Sequence, residues 1–228
     1  DVSVRLVQHF GSDASVVAAA RVSVEGAESA RHLGADAASG LIRYLVRQRH
    51  GTPFEHAGMT FVVEAPIFVF REWHRHRAGW GYNETSGRYR ELEPVFWVPP
   101  PDRKVKPAPG FKPARPEFVG GDECDHELIQ SECAAAYRRA WDSYRAMLAA
   151  GVAREVARTV LPVGTYSSMY ATCNPRSLMH FLSLRTGDAG ASYPQAEIEQ
   201  AAKLCEAEFA RLFPLTHAAF CEAGRVAP

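Results

Sequence analysis

The sequence predicts an α+β fold in which long helices accompany a mixed or antiparallel sheet of few strands. Apolar residues recur at helical spacing over several long segments, whereas alternating or β-branched segments are few and short. No stretch repeats along the 228 residues, which argues against a repeat architecture. At this length, and with 46% hydrophobic residues, the chain can bury a substantial core, so we expect a single domain over residues 1–228.

Three segments are predicted to be strands. Residues 2–7 place Val2, Val4 and Leu6 at alternate positions, as one face of a sheet requires. Residues 59–63 are rich in β-branched and aromatic side chains, which favour strands. Residues 165–172 are the third predicted strand.

Capping and stop signals set the helix boundaries. Ser12 and Asp13 can cap a first helix. Pro66 suits the first position of another, and Asn174 followed by Pro175 is a cap with proline at the first helical position. The predicted helices cover about residues 13–20, 41–49, 66–77, 122–151, 154–160, 175–185 and 194–213.

Proline is concentrated in one segment. Residues 99–116 contain seven of the fifteen prolines and three of the four lysines. Proline lacks a backbone N–H and interrupts regular structure. We therefore expect a loop at about residues 99–121, inserted within the domain.

Charge, hydropathy and cysteine content exclude several classes of protein. The 26 basic residues balance 26 acidic ones, which argues against a surface that binds nucleic acid or an anionic membrane as a whole. The five cysteines are scattered without CxxC spacing, so we expect reduced thiols. No apolar run approaches the roughly 20 residues of a membrane span, and no signal peptide is recognisable. We therefore expect a cytoplasmic protein.

The densest polar cluster is residues 71–90, with five arginines and two glutamates. Its glycines would let the backbone turn sharply, and arginine forks with backbone amides could bind phosphate. If residues 66–77 are helical, Arg71 and Arg75 share one face. By composition alone, a solvated, ion-paired helix end is the more ordinary interpretation. Basic residues interleaved with aromatics also fit a nucleic-acid-binding module.

The cluster offers little to other kinds of chemistry. His74 and His76 would lie on opposite sides of a helix, and no carboxylate or thiolate completes a ligand set, so we predict no metal site. Ser86 has no neighbouring base to activate it as a nucleophile. The sequence contains no phosphate-binding loop, dinucleotide turn or nucleophile elbow.

The same cluster resembles the signature of the flavin-dependent thymidylate synthases, which is RHR followed after about seven residues by serine. Here the signature is Arg75-His76-Arg77 with Asn83, Glu84 and Ser86. Further segments resemble family blocks in the family's order: ARVS (20–23), GTPFEH (51–56), APIFV (65–69), REVAR (154–158), LP (161–162) and NPRSLMHF (174–181) with Arg185. Because the matches extend from residue 20 to 185, the sequence is identified as a member of this family.

The resemblance implies a flavin-dependent thymidylate synthase-like fold and a homotetramer with shared active sites. It implies transfer of a one-carbon unit from 5,10-methylenetetrahydrofolate to C5 of a uridylate, with FAD as cofactor and NADPH as reductant. Conversion of dUMP to dTMP is the first expectation. The alternative is the same chemistry on UMP, giving 5-methyl-UMP, as in relatives from nucleoside-antibiotic pathways. A member that binds nucleotide only as a regulator is a further hypothesis.

Roles for individual residues also follow from the resemblance. Arg185 matches the catalytic arginine that favours ionisation at N3 of the uracil, and His50 would help to admit folate. The residues matched to FAD are Thr52, Arg75, His76, Arg77, Glu84, Asn174, Arg176 and His180. The residues matched to the nucleotide are Glu72, Arg75, Glu84, Thr85, Ser86, Gly87, Arg88, Arg158 and Arg185. Ser86 would donate a hydrogen bond to phosphate or ribose.

Two features depart from the family pattern. Eight residues separate Arg77 from Ser86, one more than usual, and we expect the extra residue to bulge the loop while both ends keep their places. Residues 186–193 lack the histidine and polar pattern of the loop that lies beside the nucleotide in the family. This small, Gly-rich loop could admit a 2′-hydroxyl, so both dUMP and UMP remain open.

Overall fold

The computed structural model describes residues 2–26, 33–190 and 192–228. Its strands are β1 (Ser3–Phe10), β2 (Gly58–Pro66), β3 (Trp80–Glu84), β4 (Lys106–Pro107), β5 (Phe118–Val119) and β6 (Tyr166–Cys173). Its α-helices are α1 (Asp13–Glu25), α2 (Ala35–Arg47), α3 (Ile67–Trp73), α4 (Glu123–Ala149), α5 (Arg154–Ala157), α6 (Pro175–Arg185), α7 (Ala196–Leu212) and α8 (Pro214–Glu222). Short 3-10 helices cover Thr52–Glu55, Arg158–Val160 and Gly187–Ala189. The combination of long helices with antiparallel strands confirms the predicted α+β class.

The chain divides into two compact units. The sheet unit comprises residues 2–64, 72–83 and 168–228, and the α4 unit comprises residues 65–71 and 84–167. The single domain expected from the sequence stays a prediction.

In the sheet unit the strand order is β1-β2-β6-β3. Strand β1 pairs antiparallel with β2, from Ser3 opposite Glu64 to Phe10 opposite Gly58. The alternating residues Phe61 and Val63 of β2 are fully buried. The strands predicted at residues 2–7, 59–63 and 165–172 therefore form this sheet. Its fourth strand, β3, was not predicted, because its residues were expected to belong to a glycine-rich turn.

Helix α3 ends at Trp73, four residues earlier than predicted. The backbone N–H groups of Arg75 and His76 bond to the carbonyls of Glu72 and Trp73 in tight turns, at 3.3 and 2.9 Å. The hydroxyl of Tyr82 in β3 donates to the His76 carbonyl at 2.5 Å and lies 3.3 Å from the Trp73 carbonyl. The Tyr82 side chain thus bonds carbonyls that would accept from backbone N–H groups if the helix continued. The expected helical spacing across residues 71–77 is therefore wrong.

The α4 unit is organised by tyrosines on its long helix. Asp122 caps α4 in a reciprocal bond with Asp125. The Tyr137 hydroxyl donates to the Trp97 carbonyl at 2.7 Å, and the Tyr144 hydroxyl accepts from the Leu92 N–H at 3.1 Å. The predicted loop at 99–121 contains only the two-residue pair β4–β5.

Helix α8 was not predicted, because its cap is remote in sequence. The Asp13 carboxylate accepts from the backbone N–H groups of Leu215 and Thr216 at 2.8 and 2.9 Å. An N-cap normally lies just before its helix. The last predicted helix ends at about residue 213, and Pro214 begins α8.

Helix α2 begins at Ala35, earlier than residue 41, where the helix was predicted to begin, and residues 27–32 lie outside the described residues. In the part of the chain that the structure describes, no helix is long and apolar enough to cross a membrane.

Candidate active site

A buried aromatic group in the sheet unit holds the turn at residues 74–79 against α6. The rings of Trp73 and Phe181 stack with centroids 4.7 Å apart, and both residues are fully buried. The ring of Trp80 meets Trp73 edge-on, and the ring of His76 meets Phe181 edge-on. Aromatic contacts of this kind fix ring orientation as well as burying area. The His76 side chain is therefore placed by packing.

Arg185, the last residue of α6, is held by Glu72 of α3 and by His76 of the turn at residues 74–79. Its Nε donates to His76 Nε2 at 3.0 Å and its Nη1 to Glu72 Oε2 at 2.9 Å. Its Nη2 donates to the Glu72 carbonyl oxygen at 3.2 Å. A guanidinium carries five N–H groups, so these three bonds leave two for a ligand.

The charges around Arg185 shift the pKa values of its partners. Burial, with a smaller contribution from the neighbouring Arg185 and His180, lowers the pKa of His76 to about 4. A neutral His76 that accepts at Nε2 carries its proton on Nδ1. Burial raises the pKa of Glu72; Arg185 opposes that shift and Glu197 adds to it.

A cavity of about 440 Å³ lies beside this group, within the size range of small-molecule sites. Five of the eight residues matched to FAD line it: His76, Arg77, Asn174, Arg176 and His180. Gly79, expected to let the backbone turn close to a ligand, also lines it, as do Glu55, Trp80 and Ser177, for which no role was predicted. Thr52, Arg75 and Glu84 do not line this cavity.

Arg176 is already bonded on one side of the cavity. Its Nη1 donates to Glu55 Oε1 at 2.6 Å and its Nε to the Pro228 carbonyl at 2.9 Å. A Cβ on Gly51 would overlap the Arg176 guanidinium, so the backbone of the GTPFEH segment packs directly on this side chain. Glu55 belongs to that segment, which was the one available signal for its role.

Gly79 brings the 74–79 turn close to the start of α6. Its φ of +69° favours glycine, and a Cβ there would overlap the Ser177 hydroxyl. Asn174 caps α6 as predicted, because its Oδ1 accepts from the Ser177 N–H at 2.8 Å. The turn and the cap thus form one wall of the cavity.

Two arginines of the signature remain available. Arg75 and Arg77 are exposed, and neither side chain makes a hydrogen bond or ion pair with another residue of the described chain. Thr52 is exposed at the start of its 3-10 helix. His50 is also exposed, with its ring edge-on to Tyr44 at 5.7 Å.

In the α4 unit, Gly87 and Arg158 are brought together. A Cβ on Gly87 would lie 3.2 Å from Arg158 Cδ and 3.1 Å from Leu92 Cδ1, so this position has little room for a side chain. The Ser86 Oγ accepts from the Arg88 backbone N–H at 3.3 Å. Arg88 Nε pairs with Glu155 Oε2 at 3.0 Å, in an exposed ion pair. Glu84 ends β3, and Thr85 connects it to this turn.

The comparisons with known proteins agree with one another. A family profile described as thymidylate synthase complementing protein matches residues 5–215. The flavin-dependent thymidylate synthase of Streptomyces coelicolor is 58% identical over 233 residues, which cover all of this chain and 94% of the relative. That of Tropheryma whipplei is 48% identical over 232 residues, covering all of this chain and 95% of the relative.

The chain is also similar to the crystal structures of a UMP/dUMP methylase, PolB from Streptomyces cacaoi. With 5-Br dUMP bound, the TM-score is 0.92 at 50% identity, covering all of this chain and 98% of that one. With 5-Br UMP bound, the TM-score is 0.89 at 49% identity, covering all of this chain and 97% of that one. The protein therefore belongs to the family of flavin-dependent thymidylate synthases.

Proposed function

We propose that this protein uses FAD to methylate C5 of a uridylate, with methylenetetrahydrofolate as carbon donor and NADPH as reductant. The observation that carries the proposal is the Arg185 fork, held by Glu72 and His76 beside a cavity that five of the matched flavin positions line. We also propose the homotetramer and the cytoplasmic location that the sequence predicts.

The side chains of the cavity fit a flavin dinucleotide. Its pyrophosphate needs several fixed donors, and Arg77 and Arg176 offer guanidinium groups at the cavity wall. Asn174 and His180 add smaller polar groups, and Gly79 lets the backbone approach closely. When bound, the flavin supplies the redox and carbon-transfer chemistry.

Arg185 would act on the pyrimidine. C5 of uracil is a weak nucleophile, and negative charge develops on the ring edge as C5 begins to form its new bond. A guanidinium fixed in advance stabilises that charge without reorganising during the reaction. The contacts to His76 and Glu72 hold Arg185 in this way and leave two N–H groups to meet the ring.

The nucleotide phosphate would be bound by donors of the signature turn. Arg88 of this turn and Arg158, which packs against Gly87, carry permanent charge. Arg75 has no partner for its side chain among the described residues and would add a further cation. Ser86 would contribute its hydroxyl.

The preferred nucleotide is proposed to be dUMP, with UMP as a second candidate. A specific observation favours keeping UMP: the similar PolB structures are named for a UMP/dUMP methylase and hold analogues of both nucleotides. The atypical loop after Arg185 is the part of the sequence that motivates the same alternative.

The first experiment measures flavin and turnover together. We expect the purified protein to be yellow, its absorbance to be bleached by NADPH, and dUMP or UMP to be methylated when methylenetetrahydrofolate is added. Parallel assays with the two nucleotides give the preference from kcat/KM. A protein that cannot be reconstituted with FAD would refute the proposal. A flavoprotein that binds nucleotide without turnover would instead be a regulator, and steeply salt-dependent binding of mixed oligonucleotides would favour a nucleic-acid-binding module.

A further inference from the structure

A second polar cluster of the sheet unit lies outside the cavity, around Arg225. The Arg225 side chain is 11% exposed and pairs with both oxygens of the Glu206 carboxylate, Nη1 to Oε1 at 2.8 Å and Nη2 to Oε2 at 2.7 Å. The His217 Nε2 lies 2.8 Å from Glu206 Oε1. Burial raises the pKa of Glu206, but the bonds from His217 and Arg225 outweigh it and hold this pKa at about 2. The carboxylate is therefore ionised and joins α7 and α8 to the turn that follows them.

The cluster resembles a metal site in composition, but its cation is the guanidinium. Among the described residues, Glu206, His217 and Cys221 offer ligand atoms within 4.8 Å of one another. Arg225 Nη1 lies 2.8 Å from the Glu206 oxygen and 3.7 Å from Cys221 Sγ. A permanent positive charge is thus already where a metal ion would have to sit.

Arg225 also bonds to the end of α6. Its Nη2 donates to the Thr186 hydroxyl at 3.0 Å, and its carbonyl accepts from the Ser183 hydroxyl at 2.7 Å. Thr186 is fully buried and donates in turn to the Leu182 carbonyl at 2.8 Å. The same carbonyl accepts from the Thr186 backbone N–H at 3.1 Å, so Thr186 closes the last turn of α6 with both its backbone and its side chain.

The backbone of Arg225 is strained in a way that suits this task. Its φ of +59° lies in the left-handed region, which non-glycine residues seldom adopt. Such strain persists where surrounding contacts over-determine the conformation. Here the surrounding contacts are the two-sided pairing with Glu206 and the bonds to α6.

We propose that Arg225 is a positioning residue for Arg185. It bonds to the two residues that flank the 184–185 step, and so fixes the backbone from which the Arg185 fork extends to Glu72 and His76. The inference rests on the proposed function, because it assigns Arg225 to the reaction that Arg185 would serve.

The test removes the hydrogen bond between Arg225 and Thr186 and leaves the buried charges of Arg225 and Glu206 paired with each other. Thr186→Val keeps the shape of the side chain and the Arg225–Glu206 pair, but removes the hydroxyl that accepts from Arg225. We expect kcat for uridylate methylation to fall about tenfold with little change in KM, since small misplacements of a catalytic group lower the rate. Flavin content should equal that of the wild type.

Three further variants separate positioning from stability. Thr186→Ser restores the hydroxyl and should recover kcat. Arg225→Lys keeps the charge beside Glu206 but lacks the second arm that reaches Thr186, so it should reproduce the loss and stands in if Thr186→Val does not fold. Glu222→Gln removes the charge of an exposed ion pair at the end of α8, that of Glu222 with Arg43 at 2.9 Å, and should leave kcat unchanged.

The outcomes distinguish the two proposals. Wild-type kcat in both Thr186→Val and Arg225→Lys would overturn the positioning role while leaving the proposed function intact. If the wild type itself does not methylate uridylates, the proposed function fails. The positioning role is then decided by crystal structures of the wild type and Thr186→Val: loss of the Arg185–His76 contact supports it, and an unchanged contact overturns it.

Discussion

Two cationic regions of the sheet unit, the end of α6 and the turn at residues 74–79, present arginine in opposite ways. At the end of α6, Arg185 makes three hydrogen bonds and its side chain is only 19% exposed. In the turn, Arg75 and Arg77 are exposed and have no side-chain partner among the described residues. An arginine that already makes several hydrogen bonds has its direction set by the protein, whereas an unpartnered one takes its direction from a ligand. The difference is the one that the proposed roles require, which are orientation of the reacting ring by Arg185 and binding of anions by Arg75 and Arg77.

The largest expected effect comes from removing the oriented arginine. Arg185→Ala should lower kcat by about 100- to 1,000-fold, the range for losing one preorganised donor to a developing charge. Flavin absorbance should remain, because Arg185 is not among the flavin positions. Turnover and the flavin spectrum are measured on the same preparation, with Arg43→Ala as the control for an exposed arginine–glutamate pair. Unchanged turnover would refute the catalytic role.

A smaller effect, on binding, is expected from the unpartnered arginine. Arg77→Ala should weaken FAD binding by about 1.5–3 kcal/mol, the contribution of a hydrogen bond to a charged group. Thermal unfolding of the flavin-free protein should not change, since the side chain has no partner to lose. Fluorescence titration with FAD gives the affinity, and Arg47→Ala, another exposed arginine, is the matched control. A loss of stability without a loss of FAD affinity would contradict the comparison.

The smallest expected effect is on the pH dependence of the free energy of unfolding, and it concerns His76, a hydrogen-bond partner of Arg185. Burial depresses the pKa of His76 from 6.5 to about 4, so between these values the unfolded chain binds more protons than the folded one. The contribution of His76 to the free energy of unfolding is therefore complete above about pH 6.5 and is lost as the pH falls toward 4. Glu72, with its raised pKa, gives a slope of opposite sign, which a His76 variant retains.

The variant that isolates this slope is His76→Gln, which can still accept from Arg185 but does not titrate. Its free energy of unfolding, measured by denaturant titration from pH 7 to 4, should fall less steeply than that of the wild type. Equal slopes in His76→Gln and the wild type would show that His76 is not the titrating group.

The sequence predicted the parts of the site that local signals specify. Asn174 and Pro175 mark the start of α6, and the helix then places Arg185 at its end as expected. The end of α3 could not be predicted, because it depends on the Tyr82 hydroxyl. This hydroxyl bonds carbonyls at and just beyond the end of the helix, and it lies on β3, a separate element. Likewise, the bond between Arg185 and His76 joins residues 109 apart, and no spacing rule relates them.

The family resemblance supplied what local patterns could not. It selected the arginines of residues 71–90 from a charge cluster that composition alone would assign to solvent. It gave no role to Glu55 and Ser177, although both lie in segments that resemble family blocks, and it did not reach Arg225; all three act through contacts with other side chains. The ligand roles of the matched residues stay predictions until the binding experiments are done.

The three bonds of Arg185 have a consequence for how nucleotide affinities should be interpreted. An arginine side chain has about 2 kcal/mol of rotamer entropy to lose when it is ordered. Here most of that freedom is lost when the chain folds, so a nucleotide that meets the fork does not have to order it. A difference in affinity between dUMP and UMP would then report the contacts of the ribose, without a contribution from reordering of the Arg185 side chain beside the base.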